Sequence, residues 1–188
     1  MDIITEIEEV FFRFRTIPYL GEVVTQLEHA LQSAREAEKT YASDELITAA
    51  LLHDIGHMVH GLPLEDANYV GFWNQDDGHE VVAEKWLARG FPESVTQPVR
   101  WHVAAKRFLA ATDPEYKDLL TAASMHVLEL QGGPMSEAEC AEFEGHPWAQ
   151  AAIAVRRWDD KAKTPGRMTP PLGHYLEIAR RCIKVPAE

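Results

Sequence analysis

Apolar residues recur at spacings of three and four along most of the chain, and nowhere alternate persistently enough to predict a strand. Over residues 2–14, Ile3, Ile4, Ile7, Val10, Phe11 and Phe14 mark one face of an amphipathic helix. A short loop holding Pro18 and Gly21 follows, and the helical pattern resumes over residues 23–40. Ser43, with Asp44 and Glu45 behind it, reads as the cap and first turn of the next helix. That helix, running through Leu52 and His53, is apolar nearly all round and belongs at the centre of the core. Gly56, Gly61 and Pro63 break the pattern, and residues 62–77 read as a long acidic and aromatic loop. Further helices are predicted over residues 78–88, briefly after Pro92, from Pro98 through His102 and Lys106, and from Asp113 to Leu130. Ser136 and Glu139 form a capping-box pair, Pro147 opens a helix to about residue 163, and the last helix covers residues 173–183. The expectation is one all-α domain over residues 1–188, with seven to nine helices.

Composition narrows the partners. With 18 basic and 30 acidic residues the formal net charge is -12, the wrong sign for holding nucleic acid by phosphate neutralisation. No apolar run is long enough to span a bilayer, and the acidic start MDIITEIEEV does not look like a signal peptide, so a cytoplasmic protein is expected. Cys140 and Cys182 have no Cys-x-x-Cys spacing, which disfavours a disulfide framework or a thiolate zinc site.

Nine histidines change the picture further. His53 and Asp54 sit at the polar end of the apolar helix in LLHDIGH, and adjacent helical residues reach one ion only near a helix end or a distortion, which Gly56 would supply. Alone the pair is equally consistent with a buried, hydrogen-bonded histidine. His29, His79, His102 and Asp159 complete a series in which each element of a bundle supplies an inward ligand. Four imidazoles and two carboxylates exceed one tetrahedral ion and suit two ions sharing a carboxylate. Lys106 follows His102 by four residues and Arg156 precedes Asp159 by three, so both cations lie on ligand faces, where they would hold an oxyanion or neutralise the carboxylates.

The segments PYLGEVVTQLEHALQSA, AALLHDIGH, HVAAKRFL, LQGGPM and RRWDDKAK, between about Tyr19 and Tyr175, resemble the PhnZ-type, mixed-valent diiron oxygenases of phosphonate degradation within the HD-domain superfamily. The resemblance implies a single HD-domain bundle, with residues 1–21 forming an N-terminal helix and lid loop and residues 22–188 the metal-binding core. It implies one iron held by His29, His53, Asp54 and Asp159, and a second held by Asp54, His79 and His102, in a ferrous–ferric pair. Tyr19 is implied as a lid ligand in the substrate position, Glu22 as its companion, His57 as a substrate-contacting histidine, and Lys106, Ser124 and Arg156 as phosphonate contacts. The implied reaction consumes O2 and splits the carbon–phosphorus bond of a 1-hydroxyalkylphosphonate, giving a carboxylate and phosphate, downstream of a 2-oxoglutarate/iron hydroxylase.

Glu22 and the loop residues Glu65, Asp66, Tyr69, Phe72, Trp73, Asp76 and Asp77 favour a cationic nitrogen on C2, as a primary ammonium or its N-trimethyl analogue. The stretch between His57 and His79 is a few residues longer than the family pattern, which allows for an additional metal or altered selectivity. Two other readings stay open at this level. One is an HD phosphohydrolase acting on a nucleotide or phosphodiester through metal-activated water, and the other is a non-catalytic HD module.

Overall fold

A computed structural model describes residues 2–19, 22–61 and 76–184. Among them are eleven helices and no strand, only an isolated antiparallel bridge between Pro18 and Thr25. The helices are α1 (Ile3–Phe14), α2 (Gln26–Lys39), α3 (Asp44–Leu52), α4 (Ile55–Val59), α5 (His79–Leu87), α6 (Glu93–Thr112), α7 (Tyr116–Leu119), α8 (Ala122–Leu130), α9 (Glu137–Glu144), α10 (Ala149–Asp160) and α11 (Leu172–Arg181). None is long and apolar enough to cross a membrane. The loop residues Glu65, Asp66, Tyr69, Phe72 and Trp73 lie outside the described residues.

Local chemistry sets the boundaries. Asp2 caps α1 by accepting from the backbone N–H groups of Ile4 and Thr5, and Ile3, Ile4, Ile7, Phe11 and Phe14 are buried along its inner face. Each such side chain contributes about 1.5–3 kcal/mol when fully removed from water. Thr25 and Glu28 close a capping box at the start of α2, Ser43 caps α3, and Ser136 and Glu139 form the box on α9. The helix α10 packs along α6, while α2 and α3 close the other side of the same space. Both α6 and α10 run through two apolar clusters. Val95, Val99, Val155 and Trp158 belong to the larger, Ala105, Leu109, Ala149 and Ala152 to the smaller.

Two helix assignments differ from the sequence expectation, and the described residues form eleven helices where seven to nine were expected. Pro98 does not open a new helix but lies inside the 20-residue α6. A proline there forfeits one backbone hydrogen bond at a cost of about 3 kcal/mol, and the buried stripe through Val95, Val99, His102, Val103 and Lys106 offsets it. The segment from Asp113 to Leu130 is two helices rather than one. Leu120 is extended and Thr121 caps α8, its hydroxyl accepting from the backbone N–H of Ser124.

Between α3 and α4 the chain bends at His53 and Asp54 themselves, with Asp54 at φ -102° and ψ 7°. Gly56 therefore serves close packing rather than the bend: an added Cβ would sit 1.9 Å from the carbonyl oxygen of His79. Backbone cannot yield as a side chain does. Gly56→Ala is expected to cost about 1–3 kcal/mol of stability and to push the first turn of α5, with His79, away from Asp54. Thermal unfolding together with metal content per chain checks this, and unchanged values in both would remove the packing argument.

Candidate metal centre

The six ligand candidates converge from α2, the α3–α4 bend, α5, α6 and α10. All are buried, none more than 7 % exposed. Asp54 is the hinge of the arrangement. Its Oδ2 lies 3.2 Å from His53 Nε2 and 3.5 Å from His29 Nε2, while Oδ1 lies 3.2 Å from His79 Nε2 and 3.4 Å from His102 Nε2. Asp159 joins the first group, with Oδ1 at 3.3 Å from His29 Nε2 and Oδ2 at 3.9 Å from His53 Nε2. One carboxylate thus offers one oxygen to each of two clusters.

The other ring nitrogen of each histidine is already engaged. The Nδ1 of His29 faces the carbonyl of Ala162 at 3.0 Å, that of His53 the carbonyl of Ala50 at 2.8 Å, and that of His102 the carbonyl of Val99 at 2.7 Å. A carbonyl only accepts, so each Nδ1 carries the proton and each Nε2 turns a lone pair inward. His29 Nε2 then faces His53 Nε2 at 3.2 Å, and His79 Nε2 faces His102 Nε2 at 3.2 Å. Opposed lone pairs at that distance repel unless a cation lies between them. Asp159 is 1 % exposed, and its two oxygens face His29 and His53 while the Arg156 guanidinium balances its charge, an arrangement that also fits metal ligation.

The electrostatics agree. Burial alone would push His29 and His79 down, but their carboxylate neighbours outweigh it and hold them up at about 9 and about 10. His102, dominated by burial, falls to about 4. Burial opposes ionisation of Asp54, yet the surrounding imidazoles hold it well below the usual carboxylate range. Proton or metal, the cluster demands positive charge.

Tyr19, Glu22, His57, Lys106, Ser124 and Arg156 all line one cavity of about 40 Å³ that opens onto Asp54, His79 and His102. Tyr19 closes it. Its hydroxyl donates to Asp54 Oδ2 at 2.7 Å and its ring stacks on His29 at 3.8 Å, on the side of the first cluster. Burial, then the charge of Asp54, keeps that phenol protonated. Glu22 accepts from the hydroxyl of Thr121 at 2.6 Å.

The two cations differ. The Arg156 guanidinium pairs with Asp159 and Asp160, and its Nε donates to Tyr116 Oη at 2.8 Å, so it enters the site as a counter-ion of carboxylates rather than as an uncommitted cation. Lys106 is 4 % exposed and makes no hydrogen bond or ion pair among the described residues. Burial, and secondly the charge of Arg156, pull its ammonium down to about 7.

Sequence reasoning placed Asp77 among residues reading a cationic substrate, but the structure engages it elsewhere. Its Oδ2 meets His57 Nδ1 at 2.6 Å and its Oδ1 meets His79 Nδ1 at 3.0 Å, joining the cavity histidine to a metal-cluster histidine. Gly78, at φ 60°, makes the turn that lets Asp77 face back onto His79. Asp160, Tyr116 and Thr121 join the site beyond the residues expected from the sequence. Asp160 had a visible signal, standing four residues after Arg156, whereas Tyr116 reaches the site only through tertiary packing.

The HD domain profile matches residues 26–140. The hydroxymethylphosphonate dioxygenase of Gimesia maris is 43 % identical over 166 residues, 88 % of this chain and 81 % of that protein. The [1-hydroxy-2-(trimethylamino)ethyl]phosphonate dioxygenase (glycine-betaine-forming) of Leisingera caerulea is 41 % identical over 186 residues, 97 % of this chain and 91 % of that protein. An uncharacterised protein of Acanthamoeba polyphaga mimivirus is 34 % identical over 177 residues, 93 % of this chain and 79 % of its own length.

Proposed function

We propose, from the premise that this chain belongs to the HD-domain family and within it to the PhnZ-type phosphonate dioxygenases, that it uses two irons and O2 to cleave the carbon–phosphorus bond of a 1-hydroxyalkylphosphonate. The observation that carries the substrate class is Lys106. A buried ammonium without a partner is costly, and an anion placed beside it removes that cost. His29, His53, Asp159 and one oxygen of Asp54 would hold one iron, and the other oxygen of Asp54 with His79 and His102 the second. Bound in the ferrous–ferric state, the pair would supply the activation of O2, which is the acceptor of the electrons of the oxidation.

The chain's own groups do the rest. Lys106 and Ser124 bind the phosphonate, and Arg156 fixes Asp159 beside them. His57, held through Nδ1 by Asp77, contacts the substrate from the cavity lining. Tyr19 occupies the cavity and leaves Asp54 when substrate enters. Positioning of this kind is the protein's share of the rate. Products are a carboxylate and phosphate.

Oxygen uptake matched by phosphate release tests the reaction, and phosphate release without oxygen uptake overturns it. Lys106→Met tests the anion site. It is expected to raise KM for the phosphonate roughly tenfold to a hundredfold, the worth of a charged hydrogen bond, while leaving two irons per chain. At pH 8, above the value of about 7 for the free ammonium, anion binding re-protonates Lys106. Calorimetry in buffers of different ionisation enthalpy should therefore show proton uptake that Lys106→Met abolishes.

Glu22 supports a substrate with a positively charged nitrogen on C2, the compact primary ammonium ahead of the trimethylated form. Specificity constants for 2-amino-1-hydroxyethylphosphonate, its N-trimethyl analogue and hydroxymethylphosphonate decide the point. Equal turnover of hydroxymethylphosphonate would end the argument for a cation.

A further inference from the structure

One contact beside the cavity has no part in the metal and substrate assignments above. Lys163 Nζ lies 3.0 Å from Ser124 Oγ. An ammonium has donors only, so Oγ is the acceptor and the hydroxyl must direct its own proton elsewhere. A serine inside a helix usually returns that proton to the carbonyl four residues back. Here that residue is Leu120, which is extended, with ψ 137°, because α8 begins only at Ala122. The Ser124 backbone N–H is pinned to Thr121 Oγ1 at 3.1 Å, fixing the residue in the first turn. Among the described residues no acceptor takes the Ser124 hydroxyl proton, and Ser124 lines the cavity together with Lys106 and Asp54.

Lys163 makes no other hydrogen bond among the described residues. It lies 3.8 Å from Asp159 Oδ1 and 3.9 Å from Asp160 Oδ1, close enough for attraction but beyond hydrogen-bond reach. Its side chain is 10 % exposed. The carboxylates draw the ammonium into place, and Ser124 receives its directed bond.

We propose that Lys163 is a positioning residue that locks Ser124 as a hydrogen-bond donor into the cavity, so that the wall formed by α8 recognises only an acceptor, an anionic oxygen of the substrate. The inference rests on the cavity being the phosphonate site. It gives Lys163 a role in affinity without contact with the ligand, and it makes Ser124 and Lys163 one unit.

The test is a double-mutant cycle on iron-loaded protein, titrated calorimetrically without oxygen, with hydroxymethylphosphonate and inorganic phosphate as probes. Ser124→Ala and Lys163→Met are each expected to weaken binding about tenfold, and the double variant no more than either alone. Lys163→Met should keep two irons per chain. Losses that multiply to about a hundredfold in the double variant would overturn the coupling. So would a loss in Lys163→Met that follows lost iron, since the lysine would then act on Asp159. Unchanged affinity in Ser124→Ala overturns the proposal by itself, whether or not the lysine variant folds. A wild-type protein that binds neither probe defeats the phosphonate reading first, and is told apart because no variant is needed to see it.

Discussion

Replacing Asp54 by Ala should remove both metal ions and all detectable turnover. The two oxygens of this one carboxylate face separate histidine pairs, so a single truncation takes a ligand from each cluster at once. It also leaves the His29–His53 and His79–His102 nitrogens facing each other with less negative charge to hold a cation between them. Asp54→Asn sharpens the test, because an amide keeps one oxygen and should retain at most one ion. His53→Ala damages only the first cluster and should spare more metal than Asp54→Ala. Elemental analysis of the three variants gives the ranking, and two irons per chain in Asp54→Ala would refute the bridging role.

Arg156→Ala should be the most destabilising of the substitutions considered. The sequence allowed this cation to bind substrate, and then its loss would weaken only affinity. The structure ties it to Asp159, Asp160 and Tyr116 at 4 % exposure, so its removal takes the paired cation from the buried Asp159 and the part-buried Asp160. Breaking such a pair costs about 3–5 kcal/mol, and each kcal/mol lowers Tm by roughly 2–4 °C in a chain of this size. Lysine should not rescue it, since one ammonium cannot reproduce a planar fork of donors. The pH dependence has a definite sign. Burial would raise Asp159, but Arg156 leads the groups that hold it well below its ordinary value. That stabilisation is present above the unfolded carboxylate value of about 4 and is lost as pH falls through the folded one. The gap in Tm between the metal-free wild type and Arg156→Ala should therefore narrow in acid. A constant gap, or none at pH 7, would return Arg156 to the substrate.

The ligand set was readable before folding because each member carries its own chemical signal. One histidine on an apolar helical face is as readily a hydrogen-bonded core residue, but six histidines and aspartates spread over successive elements point to an interior ion, and all six candidates reach the two clusters. Helix caps at Ser43 and Ser136 were equally local and equally visible. What stayed hidden depends on partners distant in sequence. The Tyr116 hydroxyl that takes the Arg156 Nε–H comes from 40 residues away. Lys163 becomes meaningful only when α8 brings Ser124 to it across 39 residues. Pro98 misled because a proline's cost is local while the packing that offsets it is not. Asp77 was noticed for its charge, but its partners followed from the turn at Gly78, which composition does not display.

The tie between His29 Nδ1 and the carbonyl of Ala162 closes a loop of 133 residues, and the chain meets itself again where Gln32 bonds the backbone of Thr164. Contacts this far apart form late, after the entropy of closing the intervening chain has been met. During synthesis His29, His53, Asp54, His79 and His102 leave the ribosome long before Asp159. A nascent chain up to α9 can gather the second cluster but not complete the first. Completion of the first cluster is thereby set at the end of folding, when α10 docks and brings Asp159 to His29 and His53.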